Sequence, residues 1–138
     1  EETGTDMKIV SEMLDMRNRE LAEVTKADDF IVSDKLISLL ISQVSENKYL
    51  MPVFEDLFAA DGSEIYLKPI RDYITPGVSV DFYTILESAR RRGHTAIGYR
   101  MIAAAHDKTK SYGIVVNPVK SKTITFSSVD ELIVLADE

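Results

Sequence analysis

Carboxylates at two places are the best candidates for chemistry in this sequence of 138 residues. Asp28 and Asp29 stand directly before a short apolar stretch, and Asp61 and Glu64 flank Gly62. Calcium takes several oxygen ligands, commonly from two or more carboxylates that a turn holds in place. The simplest interpretation of the two acidic turns is that these carboxylates cap turns and face water, and a divalent-cation site is the alternative.

The other reactive side chains do not form a recognisable catalytic set. His94 follows a predicted helix end and His106 lies in a predicted loop, so each most simply has a turn or surface role. The run from Arg90 to Arg92 suits the last turn of a helix, where positive charge complements the helix dipole; an anion contact is the alternative. The sequence contains no GxGxxG phosphate turn. These patterns do not indicate an enzyme.

Composition excludes several classes of protein. The 16 basic and 23 acidic residues give a net charge of −7, which argues against a broad nucleic-acid-binding surface. There is no cysteine, which excludes a disulfide framework and a thiolate metal site and fits a reducing compartment. No run approaches the roughly 18 apolar residues of a membrane span, and no signal peptide is visible. Because the sequence begins at Glu1 without a methionine, we expect a fragment or a processed product.

The segment from Val32 to Ala60 is the one around which the chain is organised. It predicts a helix that begins near Ser33 and ends at Asn47, then a short helix with Pro52 in its first turn. The second, short helix carries more large apolar surface than so short an element usually buries in its own domain. Either the two helices are ordinary core, or they cross to a second copy of the chain and bury an apolar face there. That face comprises Leu36, Ile37, Leu40, Ile41, Phe54, Leu57 and Phe58.

The elements on either side of the helix pair differ in kind. Before it, the pattern predicts a strand over Lys8–Leu14, a helix over Met16–Val24 and a strand over Phe30–Val32, an order typical of parallel strands in an α/β unit. After Gly62, the order β, α, β, β, β predicts a small α+β lobe. Its predicted elements are strands over Glu64–Pro69, Thr95–Ile102, Tyr112–Val116 and Leu132–Leu135, a helix over Val80–Arg92 capped by Ser79, and a loop over Ala103–Ser111.

Motifs in both halves carry a resemblance to a known family. The second half, in GHTAIGYR and GIVVNPVKSKTITFSSVDELIVLAD, resembles the TrkA-C lobe that follows regulator-of-K⁺-conductance (RCK) domains. The shared parts are Ile97-Gly98, Asn117-Pro118, and Val129-Asp130 before the last apolar strand, although the glycine often found before that aspartate is absent. The first half resembles the last strand and helix pair of an RCK domain, in KADDFIVSDKLISLLISQV and LMPVFEDLFAADGSEIYLKPI.

The stretches IGYR, DDFIVSDKLIS and FEDLFAADGSEI are similar, more closely still, to the plant symbiosis channels of the CASTOR/POLLUX type and their bacterial relatives. The resemblance covers nearly the whole chain, from Lys8 onward. It implies that residues 1–32 are the end of a Rossmann-like RCK lobe, that residues 33–61 are a crossover helix-turn-helix for dimerisation, and that residues 62–138 are a TrkA-C-like lobe. The implied fold is α/β followed by α+β.

The resemblance also implies a function. The chain would be a cytoplasmic gating domain of a cation channel, most simply a potassium channel, and not an enzyme. It would bind a small effector such as Ca²⁺, assemble with itself as a homodimer or ring, and act on the channel's pore domain. A nucleotide- or ion-sensing lobe of a cation transporter is the alternative, and a stand-alone α/β enzyme is a third reading.

A set of calcium ligands follows from the same resemblance. In calcium-gated members of the family, carboxylates at two locations meet on one ion, and Asp28 and Asp61 fall on those positions. Ala60 stands where those members place a further glutamate, so a directly copied site lacks one ligand. Glu64, Glu55 or Asp56 are the residues that could replace it.

Overall fold

A computed structural model describes residues 10–13, 29–59 and 62–137 of the chain. The chain divides into two compact units, Glu1–Glu55 and Asp56–Glu138, hereafter the N-terminal and C-terminal units. None of the helices in the described residues is long and apolar enough to cross a membrane.

The N-terminal unit contains two short parallel strands and a long helix. Strand β1 (Val10–Met13) pairs in parallel with β2 (Asp29–Val32), and helix α1 (Ser33–Glu46) follows β2 directly. The predicted parallel pairing is therefore confirmed, whereas the predicted helix over Met16–Val24 lies outside the described residues.

Asn47 ends α1 and starts the turn to the next helix. Its side-chain oxygen accepts a hydrogen bond from the backbone N–H of Tyr49 at 3.0 Å, and its carbonyl accepts one from Leu50 at 3.0 Å. This local bonding competes with continued helix, as is usual for asparagine. Helix α2 (Leu50–Leu57) begins there, with Pro52 in its first turn as predicted.

The C-terminal unit is an antiparallel sheet with a helix on one face. Its described elements are β3 (Glu64–Pro69), β4 (Ser79–Asp81), α3 (Phe82–Arg90), β5 (Thr95–Arg100), β6 (Ile114–Val116), β7 (Thr123–Thr125) and β8 (Glu131–Ala136). The main sheet has the order β3-β8-β5-β6 with antiparallel neighbours, and β4 pairs with β7 in a separate ribbon. The predicted succession of an α/β part and an α+β part is confirmed.

The core lies between α3 and one face of the main sheet, hereafter the inner face. Phe82 and Ile85 of α3 are fully buried against Leu132 and Val134 of β8. Tyr99 of β5 completes the layer by an edge-on contact with the ring of Phe126, with centroids 5.2 Å apart. The remaining core residues are Ile70, Tyr73, Ala89, Ala96, Ile124 and Ala136.

Several element bounds differ from the sequence-based prediction, and β6 for example begins at Ile114 rather than at Tyr112. The helix begins at Phe82 rather than at Val80, because Asp81 is its N-cap and accepts a hydrogen bond from the backbone N–H of Thr84 at 2.8 Å. Ser79 instead starts strand β4, which pairs with β7, a strand absent from the predicted elements. The region of the predicted loop includes a 3₁₀ turn over Ile102–Ala104, and it ends in a kinked segment where Ser111 and Tyr112 have left-handed φ values of 52° and 55°.

Candidate functional site

The predicted dimerisation face is largely uncovered in the structure. On α1, Leu36, Ile37 and Ile41 are 45%, 53% and 61% exposed, and Leu40 is half-buried. A groove of about 370 Å³ runs along this face, lined by Ile37, Leu40, Ile41, Val44, Ser45 and Met51. Apolar side chains left at this exposure are typical of a surface that another surface covers.

Helix α2 extends this pattern. None of its eight residues is buried, although its composition is strongly apolar. Phe54 and Leu57 are half-buried, and Phe58, just beyond the helix, is 62% exposed. The predicted face, Leu36, Ile37, Leu40, Ile41, Phe54, Leu57 and Phe58, is hereafter the helix stripe. Its role in dimerisation stays a prediction.

The predicted calcium ligands fall mostly outside the described residues. Asp28 and Asp61 lie there, whereas Glu64 opens β3 as an exposed residue whose backbone pairs with Ala136. Within the residues that the structure describes, no three acidic, histidine or cysteine side chains are grouped so that they could hold a metal ion. The calcium site therefore also stays a prediction.

The Ile97-Gly98 and Asn117-Pro118 motifs meet at the β5–β6 hairpin. The backbone N–H of Asn117 donates to the Ile97 carbonyl at 2.8 Å, next to a β-bulge in the pairing of β5 with β8. Asn117 has a φ of 51°, a left-handed conformation that asparagine tolerates well, and its side-chain oxygen accepts from Lys120 Nζ at 2.7 Å. Gly98 is required by packing, since a Cβ there would collide with the Val115 carbonyl oxygen. Both motifs are therefore explained by the backbone geometry and packing of the β5–β6 hairpin.

Asp130 is a buried carboxylate whose importance the sequence reading missed. It is 4% exposed and accepts hydrogen bonds from the backbone N–H groups of Ile102 and Ser127, both at 2.8 Å. Its own carbonyl accepts from Ile70 N–H at 2.9 Å. In the sequence, the feature that could have indicated this role is a single aspartate directly before an apolar strand. Its partners identify it as a residue that holds three segments together.

The His94 side chain forms a hydrogen bond to a core residue, whereas the sequence predicted a turn or surface role. Its Nδ1 lies 2.8 Å from the Tyr73 hydroxyl, and Ser88 Oγ donates to the Tyr73 carbonyl at 2.5 Å. The Arg92 guanidinium lies over the Tyr73 ring, 5.3 Å from its centroid. Burial raises the pKa of Tyr73, and the Arg92 charge partly offsets that rise. His106 is exposed in the following loop.

The other two arginines of the run bind a carboxylate of their own helix. Arg90 Nε and Arg91 Nε lie 2.8 and 2.9 Å from the two Glu87 oxygens. Hydrogen bonds from Arg90 and Arg91 lower the pKa of Glu87 to about 2. A shallow depression of about 460 Å³ beside them is lined by the N-cap Asp81 and by residues of the helix, among them Thr84 and Ser88. The run is thus a solvated helix end.

Comparison with known sequences identifies a family for the chain, which the geometry of the site does not. The chain is 32% identical over 127 residues, 92% of its length, to "Probable ion channel POLLUX" of Arabidopsis thaliana. It is 30% identical over 94% of its length to "Ion channel CASTOR" of Lotus japonicus, and 35% identical over 93% to "Probable ion channel SYM8" of Pisum sativum. This chain is a relative of the CASTOR/POLLUX-type ion channels. The resemblance predicted from its motifs is confirmed.

The matched region is a small part of those channels. The chain spans 15% of the Arabidopsis POLLUX protein and 14% of Lotus CASTOR. No family model matches the chain. Among solved structures, "Crystal Structure of the GsuK RCK domain" aligns with 99% of the chain and 26% of its own, at 12% identity and a TM-score of 0.41. "GsuK channel bound to NAD" aligns with 96% of the chain and 21% of its own, at 13% identity and a TM-score of 0.43.

Proposed function

We propose that this chain is the C-terminal part of an RCK-type regulatory domain of a cation channel, most simply a potassium channel. The observation that carries the proposal is the similarity to named ion channels over 92% of the chain. In this proposal the domain lies at the cytoplasmic face of a membrane, acts on a pore domain of its parent protein and catalyses no reaction. Residues 1–32 close a Rossmann-like lobe, residues 33–61 form the dimerising helix pair, and residues 62–138 form a TrkA-C-like lobe.

Self-association is the first part of the proposed mechanism. The helix stripe supplies the apolar surface, and two of its residues, Ile37 and Ile41, are more than half exposed. In a dimer that buries this surface, effector binding can change the geometry between the two subunits. That change would exert a force on a pore domain linked to them.

Light scattering at several concentrations tests the dimer directly. We expect the wild-type chain to move from monomer to dimer as its concentration rises, and Ile41→Glu to remain monomeric, because a buried carboxylate is strongly disfavoured. Gln43→Glu is the matched control, since Gln43 is exposed on α1 outside the stripe and receives the same charge. A wild-type chain that stays monomeric throughout would contradict the proposal.

Effector binding is the second part. We propose that Asp28, Asp61 and Glu64 provide carboxylates for Ca²⁺, because hard cations prefer several oxygen ligands. Calorimetry should show calcium binding that Asp61→Asn weakens and that Asp72→Asn, at an exposed position of the C-terminal unit, leaves unchanged. Titration with adenine dinucleotide tests a nucleotide effector on the same sample. Heat from the nucleotide but not from calcium would refute the calcium assignment.

Linkage between the two parts gives the decisive test of regulation. If calcium binding changes the dimer dissociation constant by some factor, dimerisation must change calcium affinity by the same factor. We expect both shifts in the wild-type chain and neither in Ile41→Glu. A calcium affinity that does not depend on protein concentration would show that the effector and the interface are uncoupled.

A further inference from the structure

The two edge strands of the main sheet differ in how they are protected. An edge strand offers unpaired backbone groups to any other strand, and proteins usually block such an edge with charged residues or proline. Strand β3, at one edge, carries Glu64 and Lys68 and ends at Pro69. Strand β6, at the other edge, consists of three aliphatic residues, Ile114–Val116. Of these two strands, β3 alone carries the usual blocking residues.

The hydrogen-bond pattern shows which backbone groups of β6 face the open edge. The backbone groups of Gly113 and Asn117, on either side of the strand, bond to the β5 side at 2.9 and 2.8 Å. In an antiparallel pair the residues that bond to the partner strand alternate with residues that do not. Ile114 and Val116 are of the second kind, so their backbone N–H and C=O groups point away from β5.

Val116 leaves this edge open to another strand. Ile114 N–H is used locally, because it donates to the Ser111 carbonyl of the preceding turn. For Val116 N–H, no partner is found among the residues that the structure describes. The open edge therefore offers a free backbone donor at Val116 and acceptors on either side of it, which is the pattern that an added strand pairs with.

The side chains of β6 are apolar on both faces of the sheet. Val115 is in register with the core residue Tyr99, whereas Ile114 and Val116 lie on the opposite face. The exposed fractions of Val115, Ile114 and Val116 are 36%, 41% and 61%. An added strand gains affinity from main-chain hydrogen bonds and specificity from its alternate side chains. Strand β6 can supply both kinds of contact.

The charge around β6 indicates the chemistry of its partner. Residues 107–122 contain four lysines and one aspartate, a local charge of +3 in a chain whose net charge is −7. Lys110 Nζ lies 3.6 Å from the carboxylate of that aspartate, Asp107. Lys108, Lys120 and Lys122 form no ion pair within the described part of the chain. An acidic segment complements this surface, whereas a second copy of β6 would bring like charges together.

Lys120 is the best placed of these lysines to bind a carboxylate. Its Nζ donates to Asn117 Oδ1 at 2.7 Å and to the Pro118 carbonyl at 2.8 Å. The same Nζ lies 5.4 Å from the centroid of the Phe82 ring. These contacts hold the ammonium beside the residue that directly follows β6. Because the side chain is already ordered, a carboxylate that binds it loses little affinity to further ordering.

We propose that the open edge of β6 binds an extended acidic segment of a partner protein, which adds to the main sheet as a further strand. The backbone of that segment pairs with Ile114 and Val116, its apolar side chains cover the exposed aliphatic residues of β6, and a carboxylate near one end binds Lys120. This contact lies in the C-terminal unit and does not require the helix stripe. The inference therefore goes beyond the proposed function and does not depend on it.

Fluorescence anisotropy with a labelled peptide tests the proposal on the full chain. The probe is the peptide Glu-Val-Thr-Val-Thr-Val-Glu, and the control peptide has lysine in place of both glutamates. We expect the acidic peptide to bind, and the basic peptide to bind at least about fivefold more weakly because it meets like charge. No binding of the acidic peptide, or equal binding of both, would overturn the proposal.

Val116→Pro tests the backbone pairing. Proline removes the N–H that points to the open edge, and the bonds between β6 and β5 do not use that group. We expect the acidic peptide to bind about tenfold more weakly, the effect of a lost hydrogen bond. Val116→Thr is the matched control, since it keeps the N–H and a branched side chain, and it should bind like the wild type. A proline variant that binds as well as the threonine variant would contradict strand addition.

Lys120→Met tests the charged contact. Methionine keeps an unbranched side chain beside Phe82 and removes the ammonium, so we expect a loss of roughly two- to fivefold in affinity. Lys68→Met is the matched control, because Lys68 Nζ also lies over an aromatic ring, 4.4 Å from the Tyr66 centroid, but on the other edge strand. Equal affinities for the two variants would refute the assignment of Lys120.

A methylated peptide covers the case in which Val116→Pro does not fold. The acidic peptide, methylated at the backbone nitrogens of its three central residues, keeps its side chains but loses the donors that pair with a strand. We expect it not to bind the wild-type chain. Binding equal to that of the unmethylated peptide would show that side chains alone make the contact, and strand addition would be wrong.

Two further outcomes separate this proposal from self-association. Ile41→Glu, the variant that tests the helix stripe, should bind the acidic peptide like the wild type, even if the wild type proves monomeric. Light scattering of Val116→Pro at several concentrations tests the other possible occupant. If this variant self-associates less than the wild type and the wild type does not bind the acidic peptide, a second copy occupies the edge and the proposal is refuted.

Discussion

The Asp130 carboxylate accepts a hydrogen bond from the backbone N–H of Ile102 at 2.8 Å, across 28 residues of sequence. It accepts a second bond from the backbone N–H of Ser127. The residue that leads into the central strand β8 thereby also fixes the end of β5 and the turn before β8. Together with its main-chain carbonyl, which accepts from Ile70 N–H, Asp130 joins three segments of the C-terminal unit.

Removing this carboxylate should therefore destabilise the unit. Asp130→Ala leaves two backbone donors without their acceptor, and each costs roughly 1–3 kcal/mol when it is buried. Urea unfolding followed by circular dichroism measures the loss. Asp72→Ala removes an exposed aspartate and should leave the midpoint unchanged. Equal midpoints for Asp130→Ala and the wild type would show that water replaces the carboxylate without cost.

Gly98 should tolerate no side chain. A Cβ there would meet the Val115 carbonyl oxygen of the neighbouring strand, so Gly98→Ala must push β5 and β6 apart. We expect a loss of roughly 1–3 kcal/mol or more, the usual range for overpacking a fitted site. Urea unfolding measures it. At Gly62 the corresponding space is open, so Gly62→Ala tests backbone strain without a clash; a loss at Gly98 no larger than at Gly62 would contradict the steric argument.

The N-cap of α3 distinguishes the structure from the sequence-based prediction. Asp81 accepts hydrogen bonds from both the N–H and the hydroxyl of Thr84, at 2.8 Å each, and these bonds lower its pKa. Asp81→Ala should lower the thermal midpoint by a few degrees, the usual consequence of losing a cap. Ser79→Ala should not. A lower midpoint for Ser79→Ala but not for Asp81→Ala would show that Ser79 is the N-cap.

Glu87 should contribute to the acid sensitivity of the C-terminal unit. Its pKa is about 2 in the folded chain against an ordinary value of 4.5, so the folded state favours the charged form. The resulting stability is fully present above pH 4.5 and is lost as pH falls through about 2. Thermal melts from pH 5 to pH 2, monitored by circular dichroism, should show a smaller decline for Glu87→Gln than for the wild type. Asp72→Asn is the control, and a decline in Glu87→Gln as steep as in the wild type would refute the assignment.

Sequence reasoning predicted most of the elements because their patterns are local. The apolar spacing of α1, the bounds of β3 from Glu64 to Pro69 and the β5–β6 hairpin can all be read from residues close together in the chain. The motifs that led to the family, Ile97-Gly98 and Asn117-Pro118, are local for the same reason.

The missed features depend on contacts between distant segments. Strands β4 and β7 have only three residues each, too few for a periodic signal, and they are defined by pairing across about 40 residues of sequence. The role of Asp130 appears only when the segments that contain Ile102 and Ile70 are placed beside it. A carboxylate before a strand does not by itself show what lies beside it.

The central position of β8 also governs when the C-terminal unit can form during synthesis. Among the described residues, β3 pairs in the main sheet with β8 alone, so its apolar side chains have no sheet to join until Ala136 has been added, whereas β5 can pair earlier with β6. At about 5–20 residues per second, the interval from Glu64 to Ala136 lasts roughly 4–14 s on the ribosome. Throughout that interval β3 has no strand partner in the main sheet, so its apolar side chains stay exposed to solvent.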